Sequence, residues 1–351
     1  MNNRITSIDA LRAVALLGII IEHSFDGFGR GVMEPASGVD SCLSSFIMTF
    51  IYGKSNTIFC ALFGVSFYLM LRLPQNNSLK FLWRCFLLIL IGLVNKIFFT
   101  YDALMWFGIC GIMLVPVRYM RPRYILAFSC LLMLVYVELH RLKLGTALFG
   151  TPETNRYTAE HFVDILKYPY AVQDYFRGII NNGLGPFALF VLGYWLAVKG
   201  YIEKLEKVVT GRTCLMFWAI YLASFALPEM NGMKYFNRMV NNYAATFAYA
   251  TTVIYFYYHS ARVQSVLKLL EPYGRMGLTN YSMQGIIGVC TIWQFTSGTL
   301  PYSLWGVLLI FFGVFVLQAI FSYVWLQYFR YGPLEYVWRV ATERKAIKMR
   351  N

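Results

Sequence analysis

Apolar runs of about 18 to 22 residues recur along the chain with short polar stretches between them, and a helix of that length crosses a hydrocarbon layer of roughly 30 Å. Ten such runs lie near 10–28, 52–71, 82–100, 103–119, 124–140, 184–200, 213–229, 239–258, 278–296 and 304–328. The pattern predicts an all-α, polytopic membrane helix bundle of about ten transmembrane helices, forming a single integral domain over 1–351. Most connections are short. The exception, 141–183, is expected to be an extracytoplasmic loop or cap, with a helix start at Thr158 and apolar positions Phe162, Ile165 and Leu166. "GLGP" at 183–186 suggests one irregular helix start. Residues 331–351 read as a basic cytoplasmic tail in which Gly332 and Pro333 stop the last span. There Glu335 and Arg339 would pair, four residues apart, on a short surface helix.

Composition agrees with the pattern. At 58% hydrophobic and 14% charged, the chain is more apolar than a soluble domain needs to fill one core. Placing both termini in the cytoplasm puts 21 of the 31 lysines and arginines on the inside, and five of the remainder fall in the long 141–183 segment, where the inside-positive bias is weak. The formal charge of +14 then reflects topology and anionic lipid headgroups. No basic stripe with interleaved aromatics points to nucleic acid. The first run ends in Glu22, His23 and Asp26 without a small-residue cleavage pattern, so it is expected to remain as a span. Six of the seven cysteines fall within predicted spans, and neither a disulfide framework nor a metal-ligand spacing is present.

The first span carries the candidate chemistry. In "RAVALLGIIIEH", residues 12–23, eleven residues make three helical turns, so Arg12 and His23 share a face about 16 Å apart along the axis. Asp9 and Asp26 extend that face at spacings of three. A histidine accepts and returns a proton near neutral pH, and a carboxylate on its other nitrogen fixes the tautomer, so His23 is the general-base candidate, with Asp26 or Glu22 in support. Glu22 points about 100° away, and Lys54 on the next span is a candidate ion-pair partner. Further polar residues at membrane depth include Asn56, Asp102, Asn280 and Gln284. The last two, four apart, would either polarise a carbonyl or bridge helices.

The stretches "RITSIDALRAVALLGIII", "GKSNTIFCALFGVSFYLML", "DALMWFGICGIML", "LEPYGRMGLTNYSMQ" and "LQAIFSYVWLQYFRYGPLEYVWR" together make the chain resemble the YeiB-like bacterial membrane proteins, known as domain of unknown function 418. It departs from their usual pattern at Ala13, where glycine is common. That family looks related to the transmembrane acyltransferases, including acyltransferase-3 enzymes and heparan glucosaminide N-acetyltransferases. The resemblance implies a bacterial cytoplasmic-membrane protein that moves an acyl group, commonly acetyl from coenzyme A, to a sugar, glycan or small molecule on the far side. Arg12 and His23 reproduce the arginine, ten residues, histidine spacing of acyltransferase-3 proteins. In this reading Arg12, Arg84 and Arg275 hold the donor's phosphates, His23, Glu22 and Asp26 form the catalytic group, and Asn280, Gln284, Lys54, Asn56 and Asp102 line a polar cavity. Membrane lipids are the surrounding partners, no nucleic acid or metal is expected, and a homodimer stays open. Two other classes remain at this level: a proton-coupled transporter or lipid flippase, and a non-catalytic sensor or scaffold.

Overall fold

The structure, a computed structural model, describes residues 5–25, 38–72, 78–98, 102–141, 169–227, 234–296 and 304–351. The helices are α1 (Thr6–Phe25), α2 (Gly38–Phe50), α3 (Lys54–Leu71), α4 (Ser78–Phe98), α5 (Leu104–Val117), α6 (Pro122–Arg141), α7 (Pro169–Val198), α8 (Gly211–Ser224), α9 (Lys234–His259), α10 (Ala261–Arg275), α11 (Gly277–Thr296), α12 (Leu304–Tyr328) and α13 (Pro333–Glu343), with a short helical turn over Ile202–Val208. Among the described residues there is no strand beyond one isolated bridge, between Phe329 and Arg350. A helix stands at each apolar run, and α2, α10 and α13 are additional.

Among the described residues four stretches are long and apolar enough to cross a membrane: Gly38–Leu71, Ser78–Lys96, Pro122–Leu139 and Leu304–Tyr328. Gly183–Val198 and Ile202–Val208 form a further pair bent by 63°. The chain is an α-helical membrane protein. α12 shows why: Leu309 and Leu317 are 66% and 69% exposed, which only a lipid environment tolerates so widely, while its polar Gln318 and Ser322 turn inward and are buried.

Small residues set the closest helix contacts. α3 runs against α7, and a Cβ placed on Gly64 would collide with the Phe190 carbonyl, as one on Gly193 would with the Ala61 carbonyl. Without a hydrophobic drive between helices in lipid, such backbone approach and its dispersion contacts hold the pair. Around it Phe63, Phe67, Phe107, Phe190 and Tyr194 form an aromatic core that joins α3, α5 and α7.

The segments expected inside gather at one end. Thr6 Oγ1 lies 2.7 Å from Tyr257 Oη, and the Arg72 guanidinium 2.5 Å from Glu203. Arg118 donates to Ser78 Oγ at 2.9 Å, and Lys80 lies 2.7 Å from Glu343. This basic end is closed by α13, which packs on α4 and α11.

Two expectations need correction. "GLGP" starts no helix: Pro186 lies inside the continuous α7, whose first turns precede it. Residues 169–183 of the expected cap are therefore helical and continuous with the following span, whereas 142–168, with Thr158, lie outside the described residues. The basic tail folds back, with Arg330 N–H donating to Met349 C=O at 2.9 Å and Asn351 N–H to Tyr328 C=O at 3.1 Å. Glu335, finally, does not serve Arg339. Its carboxylate accepts from the backbone N–H of Leu278 (2.8 Å) and Thr279 (3.1 Å) and from Thr279 Oγ1 (2.5 Å), because the open N–H groups of the first turn of α11 are better partners than one exposed side chain.

Candidate functional site

Two polar regions stand in the bundle, and the first turns of α11 take part in both. At the basic end a cavity of about 150 Å³ is lined by Arg84, Arg275, Leu326, Arg330, Tyr331, Gly332, Glu335, Trp338 and Arg339. α4 supplies Arg84, the end of α10 Arg275, the end of α12 and its following turn Leu326, Arg330, Tyr331 and Gly332, and α13 Glu335, Trp338 and Arg339. Pro333 at the first position of α13 fixes the helix start, and Trp338 Nε1–H donates to the Arg84 carbonyl at 3.1 Å, tying α13 to α4.

Charge in this cavity is unbalanced. Of its acidic groups only Glu335 lines it, and that carboxylate is committed to α11; burial pushes its pKa up from the ordinary value against the hydrogen bonds that favour its ionised form. Glu343 touches the edge, 2.7 Å from Lys80 and 3.4 Å from Arg84, and these cations, the Lys80 hydrogen bond foremost, hold it below the ordinary carboxylate value. Four guanidinium groups thus surround a small hollow, a setting made for an anion with several oxygens.

Two of the three arginines expected at a donor site, Arg84 and Arg275, meet here. Arg12 does not line the cavity. Its Nη1 donates to Asp9 Oδ1 at 2.8 Å and its Nη2 to Ser66 Oγ at 2.6 Å, so it ties α1 to α3. In the sequence Arg330 was visible only as part of a positive tail, and Arg339 as a partner for Glu335.

The second region lies around the end of α1. The His23 ring stands edge-on to Tyr281, with centroids 6.2 Å apart. Tyr281 Oη accepts from Ala103 N–H at 2.9 Å. Beside it Asn95 Nδ2 donates to Asp102 Oδ1 at 3.2 Å and to Ser282 Oγ at 2.9 Å, while Asp102 Oδ2 accepts from the N–H groups of Leu104 (3.0 Å) and Met105 (3.4 Å), capping α5. α1, α4, α5 and α11 therefore converge on one buried polar group that includes His23 and Asp102.

Glu22 and Lys54 turn to another side. Both are buried and within electrostatic reach of each other, and Glu22 Oε1 accepts from Ser55 N–H at 3.2 Å. The left-handed Gly53 (φ 79°), packed against the Asn242 amide, breaks the chain between α2 and α3 and sets Lys54 at the start of α3. Asn56 is exposed, its side-chain oxygen receiving only the Cys60 thiol at 3.9 Å.

Asn280 and Gln284 face neither His23 nor Lys54. Asn280 Nδ2 donates to the Tyr273 carbonyl and to Ser322 Oγ, each at 3.0 Å, Gln318 donates to the Asn280 carbonyl at 3.3 Å, and Gln284 bonds the Tyr273 hydroxyl. They join α10, α11 and α12. Asp26 lies outside the described residues. The sequence reading missed Tyr281, one position from Asn280 and so on the next face of α11; the one signal for it was that proximity.

The sequence profile of "Protein of unknown function (DUF418)" matches residues 197–345, which include α13 and three of the four cavity arginines. Over its whole length the chain is similar to "Uncharacterized protein YxaH" of Bacillus subtilis (strain 168), 26% identical across 97% of this chain and 94% of the relative. It is likewise similar to the "Uncharacterized 39.9 kDa protein in amylase 3'region" of Bacillus acidopullulyticus, 27% identical across 97% and 94%. "Uncharacterized protein YeiB" of Escherichia coli (strain K12) is 26% identical across 98% of this chain and 97% of its own. No solved structure matches. The profile match and these full-length relatives support membership of the YeiB-like DUF418 family.

Proposed function

We propose that the protein is a bacterial cytoplasmic-membrane acyltransferase of ten spans with both termini inside, moving an acyl group from a coenzyme A thioester to a hydroxyl or amine of an extracytoplasmic acceptor. The observation that carries this reading is the cavity at the basic end, whose lining holds Arg84, Arg275, Arg330 and Arg339. Guanidinium groups bind phosphate through paired N–H bonds, so the cavity suits the nucleotide end of such a donor. The His23, Tyr281 and Asp102 group stands toward the other end of α1, where an acceptor from outside would arrive.

In this mechanism His23 takes the proton of the acceptor hydroxyl or amine as its oxygen or nitrogen attacks the thioester carbon. A C–O or C–N bond forms, the C–S bond breaks, and the proton passes on to the departing thiolate. Acyl transfer is tested by reconstituting the chain in vesicles with acetyl-CoA on the arginine side and bacterial envelope extract on the other, and following free thiol. The expected result is thiol release that His23→Gln abolishes; release equal in wild type and variant removes His23 from the chemistry, and none from folded wild type removes the reaction.

A proton-coupled transporter is the second reading, favoured by the buried Glu22 and Lys54 on neighbouring helices. It predicts proton movement across vesicles that Glu22→Gln stops, without thiol release.

A further inference from the structure

We infer that the arginine cavity is a diphosphate site, in which Arg84 and Arg339 each direct a guanidinium edge at one of two linked phosphates. This rests on the donor reading above only in taking the ligand to be an anion. Each guanidinium has an aromatic ring beside it: Arg339 lies over the Tyr331 ring at 4.4 Å from its centroid, and Arg84, whose Nη2 also donates to Glu343 at 3.4 Å, is 5.9 Å from that of Trp338. A guanidinium laid on an aromatic face keeps its N–H edge free to the side and loses little freedom on binding.

Both ring-bearing residues are held in place. Trp338 Nε1–H donates to the Arg84 carbonyl at 3.1 Å, and the Tyr331 carbonyl accepts from Trp325 Nε1–H at 2.9 Å. Arg84 and Arg339 are near enough to repel each other, and Arg275 and Arg330 complete the lining. Glu335 is committed to the first turn of α11, and Glu343 is closer to Lys80 than to Arg84. A single phosphate would satisfy one fork. Two phosphates joined through one oxygen satisfy both and match the charge of the lining more closely. The cavity's volume of about 150 Å³ is far above the roughly 10–15 Å³ that one water needs, so the hollow is not filled by the side chains themselves.

The test is calorimetry on the full chain purified in detergent, with inorganic pyrophosphate, inorganic phosphate, coenzyme A and micellar farnesyl diphosphate as probes. Pyrophosphate is expected to bind at least about ten-fold tighter than phosphate, one extra pair of charge-assisted bonds. Arg339→Lys, which keeps the charge and loses the fork, should remove that advantage while leaving phosphate binding as it was. Arg330→Gln, at an exposed position, is the second variant and should weaken both anions. Pyrophosphate no tighter than phosphate, or Arg339→Lys with the advantage intact, overturns the site. If pyrophosphate is preferred but coenzyme A does not bind, the diphosphate site stands and the coenzyme A donor falls. If coenzyme A binds while pyrophosphate gains nothing over phosphate, the donor reading stands and this one falls. Coenzyme A and farnesyl diphosphate separate a soluble source of the diphosphate from a lipid-borne one.

Discussion

Arg12 illustrates how far a single residue's role depends on what its neighbours take from it. Its spacing to His23 gave it catalytic weight, yet its two nitrogen ends are bonded to Asp9 and Ser66, and Asp9 is 2% exposed. Removing one partner of so buried a pair strands the other charge, so Arg12→Ala should lower stability by about 3 kcal/mol while each folded molecule still binds acetyl-CoA. Denaturation in graded detergent, with binding scaled to the folded fraction, checks both halves. Glu343 gives a pH signature. Lys80 and Arg84 hold its carboxyl below its ordinary value of 4.5, so folding favours the ionised form. Its contribution is complete above the ordinary value and is lost as pH falls through the lowered one. The thermal midpoints of wild type and Glu343→Gln should therefore differ at pH 6 and converge under acid; a constant gap contradicts this. Both Arg12 and Glu343 show what the sequence leaves open: charge and spacing are legible, but a partner on a distant helix is not.

At the level of elements, helices were readable wherever an apolar run was long, because lipid requires every backbone group to be satisfied within the segment. α2 and α10 were harder to see, whereas α13 was expected as a short surface helix. α10 is amphipathic and short, and a helix with one polar face resembles a loop when only hydropathy is scanned. Pro186 misled in the opposite direction, since a helix continues through a proline when packing around it is strong, here with Tyr243 Oη donating to the Gly185 carbonyl at 3.0 Å. The α3 and α7 contact makes a firm prediction. Gly64→Leu must push against the Phe190 backbone, which cannot yield as a side chain can, and should cost about 1 to 3 kcal/mol, seen as a lower midpoint; an unchanged midpoint would refute the close approach. Asn280→Ala breaks the bridge between α10, α11 and α12 and leaves Ser322 buried without its amide partner. A loss of about 1 to 3 kcal/mol with anion binding intact is expected, and loss of binding at full stability would return Asn280 to the site.

Across the whole molecule, charge is sorted by end. The basic segments converge on one side and build a cavity there from four different parts of the chain, while His23, at the far end of α1, meets Tyr281 beside Asp102. Inside-positive counting leads one to expect such sorting. The cavity could not be foreseen, because Arg330 and Arg339 become site residues only once α13 folds back onto α4. The central claim, an anionic donor held at the basic end with chemistry elsewhere, is tested most directly by calorimetry of acetyl-CoA binding to wild type, Arg275→Ala and His23→Ala. Binding abolished by Arg275→Ala and retained by His23→Ala is the predicted result; no binding to folded wild type, or equal loss in both variants, would contradict it.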